Sequence, residues 1–350
     1  YLAMSTTLTF QNMSSGKVAI VTGANAGIGL ALCKQLLDSH PHLMLCLACR
    51  NQQRAQQAKE TLSISHPGAI IDIVIIDTSC VESVLKAAHI FKEKYNHIDF
   101  LYLNAGVMQA GGVRWNRILS GIFSSRCVHV LTTGEGLIVQ KNGKTDEGLM
   151  NVFATNLFGH YVLLQELESC LGSSGNDSPS QLIWTSSSNA QRCNFSMDDL
   201  QHEKGEEPYS SSKYATDMLS VALNEKFNER GIYSHTTCPG LVMTNLTDGI
   251  LPAWIWSLVL PFMLLMRILV PSLTNSPGNG ATALTWLSHQ RPESLDPRAK
   301  YQSLCSVTGK TYVGTEKLKV DEEESMALLH HLETMRTEFD QRYGNVSLTP

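Results

Sequence analysis

From Lys17 onward the chain alternates short, continuous apolar runs with stretches of helical periodicity. The runs "KVAIVTG", "LMLCLACR", "AIIDIVIID", "IDFLYLNAG", "SQLIWTSSS" and "IYSHTTCPG" read as strands. Between them, "GLALCKQLLDSH", "NQQRAQQAKETLSI", "VESVLKAAHIFKEKY", "LMNVFATNLFGHYVLLQELESCL" and the stretch from Tyr209 read as helices. Strands without polar alternation are covered on both faces, and strands joined by helices pair in parallel. The pattern therefore predicts an α/β fold: a Rossmann-type doubly wound parallel sheet of at least six strands with helices on both faces.

Two stretches break this rhythm. Residues 109–147 form a long insertion of mixed polarity with glycine-rich turns and the makings of a short hairpin, placed to cover a substrate. Residues 250–270, "ILPAWIWSLVLPFMLLMRILV", are almost wholly apolar and as one helix would extend roughly 31 Å, close to a bilayer core. Pro252, Pro261 and Arg267 interrupt it, so it reads as a membrane-associated segment that spans the bilayer or lies on it; an apolar lid or core helix is the other reading. The C-terminal "VDEEESMALLHHLETMRTEFDQRY" carries acids in its first turn and apolar residues at helical spacing (Met326, Leu329, Leu332, Phe339), a surface helix that packs on the body or on a partner. The expected organisation is a flexible extension over 1–16, one Rossmann-type domain over 17–320 that includes both departures, and a C-terminal helix and tail over 321–350.

Composition narrows the function. A net charge of -5 with no lysine or arginine cluster offers nucleic acid no basic footprint. Nine scattered cysteines without paired C-x-x-C spacing read as reduced thiols of a cytosol-facing protein, with no metal site expected. Residues 1–16 do not resemble a signal peptide, and the chain opens on Tyr1, so the natural start is Met4 or Met13 or the sequence is a fragment.

The candidate chemistry begins at the first strand. "VTGANAGIGLAL" places glycines at 23, 27 and 29 directly before a helix. Gly23 permits a tight turn, Gly27 lets backbone approach a pyrophosphate, and Gly29 allows close helix packing, with the helix N-terminus supplying NH groups to the anion. The second strand ends at Arg50 rather than at an acid. A ribose-binding acid would mark an NAD site, whereas an arginine pairs with a 2′-phosphate, so Arg50 favours NADPH. Asp77, closing "VIID", is placed to contact adenine or to form a turn. Further on, Tyr209 and Lys213 in "PYSSSKYA" lie one helical turn apart, which sets an ammonium beside a phenol and lowers its pKa toward the working range.

The turn at 22–29, "NAG" at 104–106, Asn156 within a helix, the serines 186–188 at a strand end, Tyr209-x-x-x-Lys213 and "PG" at 239–240 occur in one order. In that order they resemble the short-chain dehydrogenases/reductases over about residues 17–320. The resemblance implies that Thr22, Gly23, Ala24, Asn25, Ala26, Gly27, Ile28 and Gly29, with Asn104, Ala105 and Gly106, hold the cofactor, and that Val242 and Thr244 lie near its carboxamide. It implies that Tyr209 protonates a carbonyl oxygen as hydride arrives, that Lys213 lowers the phenol pKa and holds the nicotinamide ribose, and that Asn156 positions a water joining Lys213 to solvent. The serine has two candidates. Ser187 sits at the strand end, while Ser196 lies at the family's usual spacing of about 13 residues before the tyrosine and is otherwise a substrate contact.

Finer details, including the insertion and the apolar segment, are similar to the steroid-reducing members of the family. That similarity implies NADPH-dependent reduction of the 3-keto group of sterol intermediates in cholesterol synthesis, and of estrone to estradiol. It also implies an endoplasmic-reticulum membrane location with the catalytic domain facing the cytosol, and self-association or association with other sterol-synthesis enzymes. The alternatives are a reductase of another apolar carbonyl, such as retinal or a lipid ketone, and a non-catalytic membrane-associated scaffold.

Overall fold

The computed structural model describes residues 16–114, 136, 138–172, 178–242, 266–268 and 270–343. Strand β1 (Val18–Thr22) shows why the apolar runs are continuous. Val18 and Ile20 pack into a core on one face of the sheet, Ala19 and Val21 into a core on the other, and all five residues of the strand are buried. Side chains that alternate between two covered faces give a run with no polar alternation, and the one polar residue, Thr22, is buried with its hydroxyl hydrogen-bonded.

Helix α1 (Gly27–Ser39), strand β2 (Met44–Cys49), helix α2 (Gln52–Ser65), strand β3 (Ile70–Ile75), helix α3 (Val81–Lys94) and strand β4 (Phe100–Leu103) follow in order. A two-stranded antiparallel ribbon, β5 (Ala110–Val113) and β6 (Ile138–Gln140), is the hairpin expected within the insertion. Helix α4 runs through Asn151–Phe153, a π-helical turn Ala154–Phe158 and Gly159–Leu167. Then come β7 (Ser180–Thr185), α5 (Pro208–Phe227), β8 (Ile232–Cys238), two short helices α6 (Pro277–Gly280) and α7 (Thr282–Leu287), a hairpin β9 (Ala299–Cys305) and β10 (Thr311–Lys317), and α8 (Glu322–Tyr343).

Among the described residues the main sheet has the order β3-β2-β1-β4-β7-β8-β9-β10, parallel except for the antiparallel β10. The chain reverses its direction of build between β1 and β4, so the crevice at the carboxyl ends of those strands is the place where this fold binds ligands. Helices α3, α4, α5 and α8 cover one face and α1, α2 and α7 the other. The Rossmann-type expectation holds, with β9 and β10 in addition to the strands anticipated.

The C-terminal helix packs on the body. Phe339 stacks obliquely on Phe158 of α4 at 5.5 Å between ring centroids, Leu328, Leu329 and Leu332 enter the core, and Lys226 of α5 pairs with Glu333 at 2.5 Å. Its buried face is Ser325, Leu328, Leu329, Leu332, Arg336 and Phe339, whereas Met326 is only partly buried. The insertion is tied in at the same end: Glu147 accepts from the backbone NH groups of Val81 (2.7 Å) and Glu82 (3.2 Å) at the start of α3 and from the Tyr343 hydroxyl (2.7 Å). A carboxylate at a helix start meets both unpaired donors and a favourable dipole.

Residues 1–15, most of the insertion's centre, and 243–265 with 269 lie outside the described residues, and with them Thr244, Pro252 and Pro261. Arg267, expected as a charge interrupting the apolar segment, is buried, and its Nε donates to the Leu273 carbonyl at 3.0 Å. No helix among the described residues is long and apolar enough to cross a membrane. The eight described cysteines are free thiols.

Candidate active site

A cleft of about 500 Å³ opens at the β1/β4 reversal, walled by the glycine turn, the ends of β2 and β3, the "NAG" loop, the serines after β7, Tyr209, Lys213 and the loop after β8. Gly23 and Gly27 have φ of 68° and 53°, a left-handed backbone that glycine adopts without strain. A Cβ on Gly29 would fall 2.3 Å from the Gly23 carbonyl oxygen, so only glycine lets α1 start so close to the turn. Helix α1 has no side-chain cap, leaving its first NH groups to the cleft.

Two residues of this turn stand behind the wall rather than in it. Thr22 and Ala24 are fully buried. The Thr22 hydroxyl accepts from the backbone NH groups of Asn104 (2.8 Å) and Ala105 (2.9 Å), donates to the Tyr102 carbonyl (3.2 Å) and lies 3.0 Å from the His160 ring. The cofactor contact expected of Thr22 is thus replaced by a clamp between β1 and the end of β4. Asn104 belongs to the same clamp, since its amide donates to the Thr22 carbonyl (3.0 Å) and its carbonyl accepts from Thr185 (3.2 Å), while it still lines the cleft with Ala105 and Gly106.

At the far end Arg50 lies 3.6 Å from Asp77, and its side chain remains 72% exposed. Asp77 is held from the other side by Ser79, whose NH and hydroxyl donate to it at 2.9 and 2.6 Å. An exposed guanidinium steadied by a fixed carboxylate can take up a phosphate. Arg54, in the first turn of α2, also lines this end and was not anticipated. The signal in the sequence is a cation at a helix start, where the dipole disfavours it unless an anion is bound nearby.

The residues expected to handle the proton converge on the middle of the cleft. Lys213 is buried, and its Nζ donates to the Thr185 carbonyl at 2.6 Å and sits 5.6 Å from the Tyr209 ring centroid. Burial lowers its pKa to about 8, against an upward pull from Asp217. The phenol departs from expectation: burial pushes the Tyr209 pKa up to about 12, and the group that lowers it is the Ser187 hydroxyl. Desolvation disfavours tyrosinate more than the ammonium, at this distance, favours it.

Ser187 lines the cleft beside the phenol. Ser196 does not: it is exposed and its hydroxyl accepts from the Asp198 NH (3.3 Å) to start a 3-10 turn, so the strand-end candidate is the one the fold brings to Tyr209. Asn156 sits in the π-helical turn of α4. Its side chain is spent on the Val107 backbone, accepting at 2.8 Å and donating at 3.1 Å, and on Ser212 at 3.0 Å. Val242 lines the cleft near Pro239 and Gly240, and Thr244 lies outside the described residues.

One residue of the insertion reaches this group. Gln140 on β6 accepts from the Tyr209 NH (3.1 Å) and donates to Glu207 (2.7 Å). Pro208 precedes Tyr209 and has no NH, so the first donor of α5 is capped from 69 residues away.

The described residues fit a nicotinamide dinucleotide: a glycine cradle for a pyrophosphate, an exposed arginine for a 2′-phosphate, and a buried lysine beside a phenol. The known proteins agree. The sequence profile of the short chain dehydrogenase family matches residues 17–253. The chain is 51% identical over 307 residues to the 3-keto-steroid reductase/17-beta-hydroxysteroid dehydrogenase 7 of Rattus norvegicus, covering 88% of this chain and 91% of that one. Its Homo sapiens counterpart is 50% identical, with 88% and 89% covered. Among solved structures, a short chain dehydrogenase from Burkholderia cenocepacia in complex with NADP superposes with a TM-score of 0.57 at 20% identity, covering 84% of this chain and 97% of that one. The chain belongs to the short-chain dehydrogenase family and is an NADP-dependent oxidoreductase.

Proposed function

We propose that the protein reduces the 3-keto group of a sterol or steroid with NADPH, with Tyr209 as the general acid. The observation that carries this reading is the meeting of Tyr209, Ser187 and Lys213 in one cleft of a chain half-identical to 3-keto-steroid reductases. The dinucleotide would be held by the glycine turn, Arg50 and Lys213, and when bound it supplies a hydride. The chain's own residues manage the proton and the orientation. The Ser187 hydroxyl is placed to donate to the substrate carbonyl oxygen, which gathers negative charge as the carbon is reduced. Tyr209, protonated with its pKa near 12, delivers a proton to that oxygen. Lys213 supports the tyrosinate left behind with its positive charge.

The same reading extends to estrone reduction, to the sterol intermediates of cholesterol synthesis, and to an endoplasmic-reticulum membrane with residues 17–320 facing the cytosol. What supports the membrane is the apolar composition of 250–270 and a lipid-like substrate. Self-association or association with other sterol-synthesis enzymes belongs to the same proposal. The test is NADPH oxidation by bilayer-reconstituted protein offered a 3-keto sterol, estrone or retinal. Turnover with the sterol supports the reading; turnover with retinal alone reassigns the substrate, and NADPH binding without turnover on any of them favours the scaffold.

Replacing Arg50 by alanine is expected to raise the NADPH KM about 10- to 100-fold, the worth of a hydrogen bond to a charged group, and to leave the NADH KM unchanged. Equal effects on both cofactors would move the phosphate site to Arg54.

A further inference from the structure

Behind the phenol lie two buried charges that the proposed reaction does not use. Lys300 of β9 and Asp217 of α5 have side chains only 7% and 4% exposed and form an ion pair at 2.6 Å. The same ammonium donates to the Ser187 carbonyl at 3.0 Å. Asp217 follows Lys213 by one helical turn, so a carboxylate already paired with Lys300 also acts through its charge on the Lys213 ammonium, which itself donates to the Thr185 carbonyl. Taking such a pair out of water costs several kcal/mol per ion, and apolar residues of similar volume commonly serve packing as well. What the pair supplies instead is position and charge, and both act on the reacting group.

We propose that Lys300 and Asp217 are positioning residues: Lys300 fixes the backbone of Ser187 against Tyr209 and holds the Asp217 carboxylate, so that Lys213 stays directed at the cleft. This rests on the reading that Tyr209 and Lys213 handle the proton. Without Lys300, the Asp217 carboxylate would have Lys213 as its nearest remaining cation, and would draw it off the Thr185 carbonyl. The titratable groups that face Lys213 are Tyr209 and Asp217 of α5, His160 of α4, Cys238 of β8 and Lys300 of β9. His160 is held neutral by burial and the Cys238 thiol is pushed up by burial; burial also raises the Asp217 carboxyl, and the Lys300 ammonium at 2.6 Å opposes that rise and favours the carboxylate, so Asp217 and Lys300 are the two charges in play. Their signs oppose: Asp217 raises the Lys213 pKa and Lys300 lowers it.

The experiment compares Lys300→Met, Asp217→Asn, the double variant and Lys300→Arg by the pH profile of kcat/KM for ketone reduction. It is paired with NMR titration of Lys213 in protein carrying 13C-labelled lysine, a readout that needs no turnover. Lys300→Met is expected to move the alkaline limb and the Lys213 titration upward and Asp217→Asn to move both downward, each by about one pH unit. The double variant returns toward the wild-type limb, and Lys300→Arg keeps it. Shifts in one direction for both single variants, or loss of kcat without a shift, would overturn the proposal and leave a packing role. Where Lys300→Met does not fold, Asp217→Asn and the double variant carry the test. If the wild-type protein reduces no ketone while the Lys213 titration still moves in opposite directions, the coupling stands and the reductase reading alone fails.

Discussion

Tyr209→Phe is expected to lower kcat for ketone reduction by about 10²- to 10⁴-fold, the usual contribution of a positioned general acid, while NADPH binding stays at its wild-type strength. The ring of Tyr209 packs half-buried at the start of α5, and phenylalanine keeps that packing, so the loss isolates the hydroxyl. Ser187 remains to hydrogen-bond the substrate carbonyl, and Lys213 stays on the Thr185 carbonyl. Two measurements separate the effects: NADPH fluorescence on binding, and NADPH oxidation with a 3-keto steroid. Retention of a tenth or more of wild-type kcat would remove Tyr209 from the chemistry and leave it a packed aromatic.

The strands that carry the site were legible because both of their faces are covered. Val18 through Thr22 has no polar alternation, and the same is true of Phe100 through Leu103 and Ser180 through Thr185, each buried along its whole length. The hairpin β9–β10 escaped the same reading because β9, though mostly buried, sets Lys300 and Gln302 among apolar residues, and β10 lacks the cover. Only one side of β10 is shielded, and "TYVGTEK" on an outer strand presents polar and half-exposed positions that mimic a loop. Lys300 lies in that hairpin, so the residue that touches the Ser187 carbonyl was hidden with it.

Within the site, local geometry was readable and long-range contact was not. Tyr209 and Lys213 share a helix face, and glycines ahead of a helix announce a turn, so both were visible from spacing alone. Ser187 had a rival in Ser196 because counting residues back from Tyr209 ignores what lies between. Two 3-10 turns, Arg192–Asn194 and Met197–Asp199, take up the extra length, and the strand end fixes the serine whatever the length of loop that follows. Thr22 shows the limit in the other direction. Its place in the motif is right, yet its hydroxyl faces the β4 backbone, a contact 80 residues away that no local pattern encodes. Gln140 is another case, since an amide in an insertion says nothing of the helix end it will cap.

In the proposed mechanism Lys213 sets the pH dependence. There the reaction draws one proton from the Tyr209–Lys213 pair, so reduction would need the pair fully protonated. The first proton lost as pH rises is that of Lys213, near pH 8, because the phenol holds its own to about 12. Once Lys213 is neutral, nothing positive remains beside the tyrosinate that forms when the phenol gives up its proton, and the barrier rises. The rate of reduction is therefore expected to be constant below about pH 7 and to fall tenfold per unit above about pH 8, with the reverse oxidation rising through the same range. Lys213→Met removes the titrating group: kcat/KM falls at least tenfold at neutral pH, the worth of one charged hydrogen bond, and the limb near pH 8 disappears. Profiles of kcat/KM from about pH 6 to about pH 10 for both proteins decide it. A wild-type profile flat to pH 10, or a limb near 8 that survives in Lys213→Met, would place the controlling proton elsewhere, with Tyr209 itself as the group to examine next, since a bound cofactor's charge acts on the phenol as directly as on the ammonium.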